Sequence, residues 1–334
     1  LREKDRARLR NLGTAAALLM CVVWARAQGG DPKAEMILFV EGIAAHARAA
    51  EPAFGIFPQN ASDLGEDSGY LACVTGMGQE DTYYGYKKDG KATPPDVTAA
   101  LESNLDVFRS AGKLVLTVDY PFKDTDVPAF NKKARKKINA VYLRAQDKGY
   151  VPYCTVRNLD SLVVEPGHEP RPNDPPISDW SQVREFLYQL QPAEGQDKPG
   201  FLAALGDSKF DLIVMDYSFD GSGGQEFTAG EISGLKTALN GKLLAYMSIG
   251  EAESYRWYWQ DSWDENHDGI PDPDAPSWLD KENPDWPGNY KVKFWDPGWQ
   301  GIVFEYLDKV LAQGFDGVYL DLVDAYEYYE PVKR

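Results

Sequence analysis

Two carboxylates stand two residues apart, Glu251 and Glu253, directly after the apolar run Ala245-Tyr-Met-Ser-Ile249, with Arg256 three residues further on. In an extended chain both point to one side, where mutual repulsion raises one pKa and makes a general acid. Pairing with Arg256 would instead lower both and make a structural salt bridge, and the spacing admits either arrangement. Polar residues close other apolar runs in the same way: Gln59 and Asn60; Gln79, Glu80 and Asp81; Asp119 and Tyr120; Arg157 and Asp160; Gln189 and Gln191; Asp216 and Tyr217; Asp321 and Asp324. Any one of these acids alone reads as a helix N-cap or a solvated loop. Their repetition at the same end of successive runs points to one cleft, with Asp216, Glu251, Glu253 and Asp321 as candidate acid, base or nucleophile.

Aromatic residues crowd the same segments: Tyr255, Trp257, Tyr258, Trp259 and Trp263, Tyr83, Tyr84 and Tyr86, and Tyr326, Tyr328 and Tyr329. Carboxylates beside aromatic faces suit sugar rings, whose apolar faces stack while their hydroxyls take charged hydrogen bonds. Such polar loops make poor core, so the aromatics are expected to form platforms. The substrate-binding candidates are Gln59, Asn60, Glu80, Asp81, Asp119, Gln189, Tyr217, Tyr255, Arg256, Trp259, Asp324 and Tyr326.

A separate signal is Asp264-Glu-Asn266-His-Asp268-Gly269-Ile-Pro-Asp272, the opening of a calcium loop. Alternating oxygens would surround the ion: Asp264, Asn266, Asp268, the Ile270 carbonyl and Asp272, with Gly269 at the sharp turn. Ala275 occupies the twelfth position, where a Glu is usual. The choice lies between a structural Ca2+ that stiffens the lip of the cleft and an unliganded acidic turn. No cofactor is expected for the chemistry itself.

The elements that would position these groups alternate. Eight β-branched or aromatic runs are expected as strands, at 54–57, 71–75, 114–119, 151–156, 186–190, 212–216, 243–248 and 317–321. Amphipathic stretches at 98–111, 128–148, 228–239 and 299–313 repeat apolar residues at helical spacing. The rhythm predicts an α/β fold, a single-domain (β/α)8 TIM barrel over 31–334. An open doubly wound sheet is the alternative, but no GxGxxG follows any strand.

Ahead of this lies a basic segment with Arg2, Lys4, Arg6, Arg8 and Arg10, an apolar run from Leu12 to Trp24, and Ala25-Arg-Ala27. This is the layout of a signal peptide over residues 1–27. It predicts a secreted or periplasmic protein without stable membrane insertion. The chain of 334 residues carries 35 Lys and Arg against 52 Asp and Glu, a net charge of −17 that disfavours nucleic acid as a partner. Three histidines, His46, His168 and His267, are too few for a multi-histidine zinc centre. Past the signal only Cys73 and Cys154 remain, expected as buried thiols although a disulfide is open to them. The mature chain is expected to be a monomer.

Longer stretches resemble a known family. Leu187-Tyr-Gln-Leu-Gln191, Asp211-Leu-Ile-Val-Met-Asp-Tyr217, residues 245–259, Asn283-Pro-Asp-Trp-Pro-Gly-Asn-Tyr290, Phe294-Trp-Asp-Pro297 and Gly314-Phe-Asp-Gly-Val-Tyr-Leu-Asp-Leu-Val-Asp-Ala-Tyr326 are similar to the TIM-barrel family related to glycoside hydrolase family 114, the endo-α-1,4-polygalactosaminidases. The first half resembles it through Gly55-Ile-Phe-Pro-Gln-Asn-Ala61, Gly76-Met-Gly-Gln-Glu-Asp-Thr-Tyr-Tyr-Gly-Tyr86, Gly112-Lys-Leu-Val-Leu-Thr-Val-Asp-Tyr120 and Gly149-Tyr-Val-Pro-Tyr153. In that family the two halves stand in the opposite order, which implies a circularly permuted barrel. The helix expected over 31–50 would then supply the crossover after the last strand, and the Pro-rich connection at 163–180 would be the splice. The resemblance implies an endo-acting O-glycoside hydrolase on an amino-sugar-containing or related polysaccharide or oligosaccharide, with the strand-end acids in catalysis. It departs at Tyr319, where the polygalactosaminidases carry a Glu. That departure leaves room for a carbohydrate-binding pseudoenzyme with the same cleft.

Overall fold

Side chains that accept hydrogen bonds from the first helical turn fix where the helices of this chain begin. Asp31, Asp67, Asn131, Asp197, Thr228 and Asp296 each cap the helix that follows, starting Pro32–Ala50, Ser68–Cys73, Lys132–Asp147, Lys198–Asp207, Ala229–Leu239 and Pro297–Gln313. Helix Pro95–Ser110 starts on prolines instead, whose fixed φ suits a first turn. A computed structural model describes residues 30–123, 127, 130–173 and 175–331. The expected signal peptide at 1–27 lies outside the described residues.

The strands are β1 (Gly55–Pro58), β2 (Gly76–Glu80), β3 (Leu114–Asp119), β4 (Val151–Cys154), β5 (Phe186–Tyr188), β6 (Leu212–Met215), β7 (Lys242–Ser248), β8 (Glu251–Glu253), β9 (Leu279–Glu282), β10 (Asn289–Val292) and β11 (Gly317–Asp321). A five-stranded sheet runs β1-β11-β7-β6-β5 and a three-stranded sheet runs β2-β3-β4, all pairs in parallel. A parallel bridge between Gln59 and Gly78 joins the two at β1 and β2. The fold is therefore α/β with parallel sheets and helices between the strands. β1, β4, β5 and β6 are buried along their whole length, as strands covered on both faces must be.

The second strand lies further along the chain than expected. Residues 68–73 are helical under the Asp67 cap, and the strand is the glycine-bearing Gly76-Met-Gly-Gln-Glu80. The glycines have a steric cause: a Cβ on Gly78 would sit 1.9 Å from the Tyr319 hydroxyl oxygen, and one on Gly76 would sit 2.2 Å from the Phe57 ring. Large side chains on β1 and β11 fill the volume that β2 leaves open, so this strand carries little β-propensity of its own.

Further elements add to the expected set. Helix Lys198–Asp207 connects β5 to β6, and an antiparallel sheet β8-β10-β9 follows β7. The helix Pro32–Ala50 packs on Pro297–Gln313 through Phe39 against Phe304 at 6.2 Å and His46 Nε2 on Asp308 Oδ1 at 2.7 Å. Among the described residues no α-helix lies between β4 and β5, where the Pro-rich connection runs and ends in the short 3-10 helix Trp180–Gln182. Cys73 and Cys154 are free thiols; Cys154 is buried, whereas Cys73 is only half-buried. Among the described residues no helix is long and apolar enough to cross a membrane.

Candidate functional site

The carboxyl ends of the parallel strands bring Glu80, the last residue of β2, and Asp321, the last of β11, to either side of Gln59, which follows β1. The Gln59 amide Nε2 donates to Glu80 Oε2 at 2.8 Å and to Asp321 Oδ1 at 3.0 Å. Asn60 Nδ2 donates to the same Glu80 oxygen at 3.3 Å, and the Tyr120 hydroxyl donates to the other. Asp321 accepts from the Tyr246 hydroxyl at 2.7 Å and from the Leu322 amide at 2.8 Å. Asn60, Asp81 and Leu322 all take positive φ, the sharp local turns that end the strands and aim these side chains at one another.

Burial raises both acids: Asp321 to about 8, desolvation first and the nearby Glu80 charge second, and Glu80 in the same direction, opposed by the Tyr120 hydrogen bond and the Arg157 charge. Each carboxylate disfavours the charge on the other, in the same direction as the desolvation.

A cleft opens at the turn after β11, lined by Glu251, Asn283, Lys291, Leu322, Asp324 and Tyr328 among others. Gly250 lets the turn from β7 to β8 close on the loop after β11, since a Cβ there would lie 2.2 Å from the Leu322 carbonyl oxygen. Glu251 Oε1 accepts from Asn283 Nδ2 at 2.9 Å and pairs with Lys291 Nζ at 3.4 Å. Its Oε2 is buried and finds no partner among the described residues. Desolvation raises Glu251 against the Lys291 charge, and Asp324 is pushed up to about 6 by burial and by Glu327, Glu80 and Glu251 around it.

Glu253 faces a different set of groups from Glu251. Arg256 Nε donates to Glu253 Oε2 at 2.6 Å, and its Nη1 and Nη2 reach Asp216 Oδ1 and Oδ2 at 2.8 and 2.7 Å. The Tyr255 hydroxyl donates to Glu253 Oε1 at 2.5 Å and the Ser218 amide to Asp216 at 2.9 Å. Arg256, Asp216 and Glu253 are only 3 %, 6 % and 1 % exposed, so this is a buried ion triad. The salt-bridge alternative thus holds for Glu253 and extends to Asp216, while Glu251 stays outside it.

The other candidates divide. Asp81 is bound by Arg157 at 2.8 Å, Arg157 also takes Asp89, and its guanidinium lies 3.7 Å from the Tyr120 ring centre. Asp119 Oδ1 accepts the Tyr83 and Tyr84 amides at 2.6 and 2.7 Å; burial pushes it up to about 7. Gln189 is buried, its Nε2 donating to the Gln191 carbonyl. Tyr217 and Tyr326 are buried, Tyr326 with its hydroxyl on Asp63, so neither offers a ring face to a ligand.

Most of the aromatics are packing. Tyr83, Tyr258, Trp263 and Trp278 are buried, and Trp259 packs between the tilted Tyr290 ring at 4.6 Å and the edge-on Trp263 ring at 5.2 Å. Of the aromatics expected as platforms, Tyr86, Tyr255 and Tyr328 remain exposed, as does Trp286. The reason is that β8, β9 and β10 form a small sheet with its own apolar filling, which the polar residues between the rings disguised. Tyr319 is fully buried, 5.2 Å from the Tyr188 ring, and its hydroxyl has no partner among the described residues.

In the acidic loop Asp264 is buried and accepts from the Tyr290 hydroxyl at 2.6 Å and from the Gly269 and Asp268 amides at 3.0 and 3.2 Å. Desolvation works against it, but these hydrogen bonds hold its pKa below the usual carboxylate range. Asp272 accepts the Glu265 amide and Asp268 the Ile270 amide. Among the described residues no three His, Cys, Asp or Glu side chains form a group able to hold a metal ion.

The raised acids set a pH dependence of stability. Asp321 and Glu165 at about 8, Asp119 at about 7 and Asp324 at about 6 bind protons more tightly folded than unfolded, burial being the leading cause in each. The native state therefore holds more protons between about pH 4 and pH 8, and stability falls as pH rises through that window. Thermal unfolding at pH 5.5 is expected to have a midpoint higher than at pH 8.5 by on the order of 5 °C. An equal or higher midpoint at pH 8.5 would contradict the burial of these groups as acids.

Three residues around the site are not among the sequence candidates: Tyr246, Asn283 and Lys291. Lys291 had a usable signal, because Asn289-Tyr-Lys-Val292 alternates as a strand and puts Asn289 opposite Glu253 and Lys291 opposite Glu251. Tyr246 lies inside an apolar run and had none.

Residues 167–333 match glycoside-hydrolase family GH114. An uncharacterized protein of Methanocaldococcus jannaschii, MJ1477, is 48% identical over 156 residues, which are 46% of this chain and 40% of that protein. An uncharacterized protein of Thermotoga maritima is 43% identical over 155 residues, 46% of this chain and 41% of that protein. The chain thus spans about two fifths of the length of these curated relatives. Among solved structures, Aspergillus fumigatus Ega3 in complex with galactosamine aligns with a TM-score of 0.27 and 21% identity over 42% of this chain and 44% of that one. The glycoside hydrolase domain of PelA from Pseudomonas aeruginosa aligns with a TM-score of 0.26 and 18% identity over 42% and 45%.

Proposed function

Since the chain belongs to glycoside-hydrolase family GH114, we propose that it is a secreted, endo-acting glycoside hydrolase that cleaves an amino-sugar-containing or related polysaccharide at the ends of its parallel strands. The observation that carries this is the cluster of acids at the strand ends, the half-buried Glu80, Asp321 and Asp324 and the buried Glu251, with Asp321 pushed up to about 8 and Asp324 to about 6. Glycoside hydrolysis needs one carboxylic acid still protonated at the working pH and one carboxylate, and burial beside a like charge is the physical means of obtaining both. Asp321 takes the acid's part in this reading. Glu251, Lys291 and Tyr328 form the side of the cleft where a sugar would be held, and the net charge of −17 favours a cationic chain.

The reading includes closure of the two parallel sheets into a (β/α)8 barrel. The Gln59–Gly78 bridge supports it on one side, and Tyr153 of β4 lying 5.6 Å from Phe186 of β5 supports it on the other. The permuted order belongs to it as well, with Pro32–Ala50 packed on Pro297–Gln313 as a crossover helix would be.

Calcium at Asp264, Asn266, Asp268, Ile270 and Asp272 is the structural part of the proposal. The expected outcome is that adding millimolar Ca2+ to chelator-treated protein raises the thermal midpoint, by about 5 °C if the ion is present at a hundredfold excess over its Kd. An unmoved midpoint would make the loop an acidic turn held by its own amides.

The test of the activity is reducing-end release from deacetylated and acetylated galactosamine and glucosamine polymers with calcium present. Release from one polymer defines the substrate class. Binding without release from any of them would favour the pseudoenzyme, for which the specific observation is Tyr319, buried where the polygalactosaminidases have a carboxylate.

A further inference from the structure

We propose that Arg157 and Tyr120 are coupled positioning residues for the reaction: the Arg157 guanidinium, laid on the Tyr120 ring, strengthens the hydrogen bond that the Tyr120 hydroxyl gives Glu80 and so keeps that carboxylate charged beside the Asp321 acid. The inference rests on the glycoside hydrolase reading above, which needs a charged carboxylate next to the acid, and assigns the residues that maintain the charge.

Three observations carry it. The first is the stack. Arg157, three residues past β4, has its guanidinium 3.7 Å from the Tyr120 ring centre. Tyr120 is only 1 % exposed, and its hydroxyl donates to Glu80 Oε1. A cation on the ring face draws electron density from the phenol and makes its O–H a stronger donor. The same balance acts on the hydroxyl's own proton, which burial holds on and the Arg157 charge loosens.

The second is the fixing of the guanidinium. Arg157 Nη2 donates to Asp81 Oδ1 at 2.8 Å, to Asp89 Oδ1 at 2.9 Å and to the Gly85 carbonyl at 3.3 Å, and Nε donates to Asp89 at 3.1 Å. Gly85 takes a φ of 123°, and a Cβ there would run into Asp81 and the guanidinium. The loop after β2 is folded around a planar cation that these contacts hold flat on the ring.

The third is the balance of charges at Glu80. Desolvation favours its neutral form; the Tyr120 hydrogen bond opposes that most, Asp81 adds to it, and Arg157 works against it. Asp321 and Asp324 face Glu80 as further acids, and the hydroxyls of Tyr188 and Tyr319 lie within reach of its charge. Against these acids stand Arg157 and the amides of Gln59 and Asn60. Arg157 therefore acts twice, by neutralising Asp81 and by sharpening the Tyr120 donor. Losing either the guanidinium or the hydroxyl makes Glu80 hold a proton more tightly, so the reaction should weaken on the acid side and recover as pH rises.

The experiment measures initial rates at pH 5 and pH 7.5 for wild type, R157M, Y120F and the double variant, on the polymer of the panel that the wild type cleaves fastest, with thermal midpoints for all four. Each single variant is expected to lose on the order of tenfold in turnover at pH 5 and less than about threefold at pH 7.5, with KM little changed at either pH. The double variant should lose less at pH 5 than the product of the two single losses, because Arg157 acts in part through the hydroxyl. A residue that merely pins the loop after β2 would lower the rate equally at both pH values. Y120F keeps the ring, the stack and every contact of that loop, so it decides the matter if R157M unfolds. Wild-type cleavage with a Y120F loss that is absent at pH 5 or equal at both pH values, or with single losses that multiply in the double variant, would overturn the role of Arg157 and Tyr120 and leave the hydrolase reading standing. A wild type that releases no reducing ends from any polymer of the panel would overturn the hydrolase reading, and this inference with it.

Discussion

Asp321→Asn is expected to lower turnover by roughly 10²- to 10⁴-fold while leaving glycan affinity within a few-fold of wild type. An asparagine keeps the shape of the protonated acid and can still meet Tyr246 and Gln59, but it has no proton to give to a departing oxygen. The pH dependence makes the role specific. With Asp321 pushed up to about 8, the wild-type rate should hold on approaching that pH from below and then fall about tenfold per pH unit above it, as the acid loses its proton. The variant should lack that alkaline limb. Initial rates from pH 5 to 10 measure both effects; a variant within tenfold of wild type, or one that keeps the limb, removes Asp321 as the acid. Removing a charge that repels Glu80 also predicts that the variant is no less stable at pH 8.5.

The largest stability effect is expected at Arg256. Its guanidinium neutralises Asp216 at 2.7 Å and Glu253 at 2.6 Å, and all three side chains are buried. Arg256→Met keeps the stem and removes the charge, leaving two carboxylates desolvated and facing each other. Breaking a buried pair in this way costs about 3–5 kcal/mol. At a few degrees per kcal/mol for a domain of this class, the thermal midpoint should drop by roughly 10 °C. The triple change Arg256→Met, Asp216→Asn and Glu253→Gln removes the stranded charges and should recover a large part of that loss. Calorimetry of the two variants decides it: a single change that costs nothing, or a triple change less stable than the single one, would mean that the triad is not the buried charge balance described above.

The sequence showed the strand-end acids clearly because each closes an apolar run, and strand ends are where such a run must meet solvent. It showed the Glu253–Arg256 pair through i,i+3 spacing, but Asp216 lies forty residues away in the chain and joins only through tertiary contact. Strand β2 was hidden because its glycines were selected by the bulk of Phe57 and Tyr319, which a local pattern does not record. Strands β8, β9 and β10 were hidden for a different reason: they are three or four residues long and lie among prolines, glycines and acids that read as loop. The aromatic residues between them have the composition of ligand platforms, whereas the small sheet needs most of them as its filling. Glu80 was visible as a polar strand end, but its partnership with Asp321 depends on Gln59 of a third strand end.

Neighbours along the chain and neighbours in the sheet are exchanged at one place. Strands β4 and β5 are consecutive but belong to different sheets, joined by a connection with Arg171, Pro172, Pro175 and Pro176 on the surface. Strand β1, from the first half, is instead laddered to β11 of the second from Gly55–Gly317 to Pro58–Leu320. The covalent link between the halves is thus among the least necessary bonds in the molecule. Cut by a protease within 169–176, the protein should run as two bands on a denaturing gel and as one particle in solution. The halves, expressed from separate messages, should assemble into a single folded unit with both Glu80 and Asp321 in place.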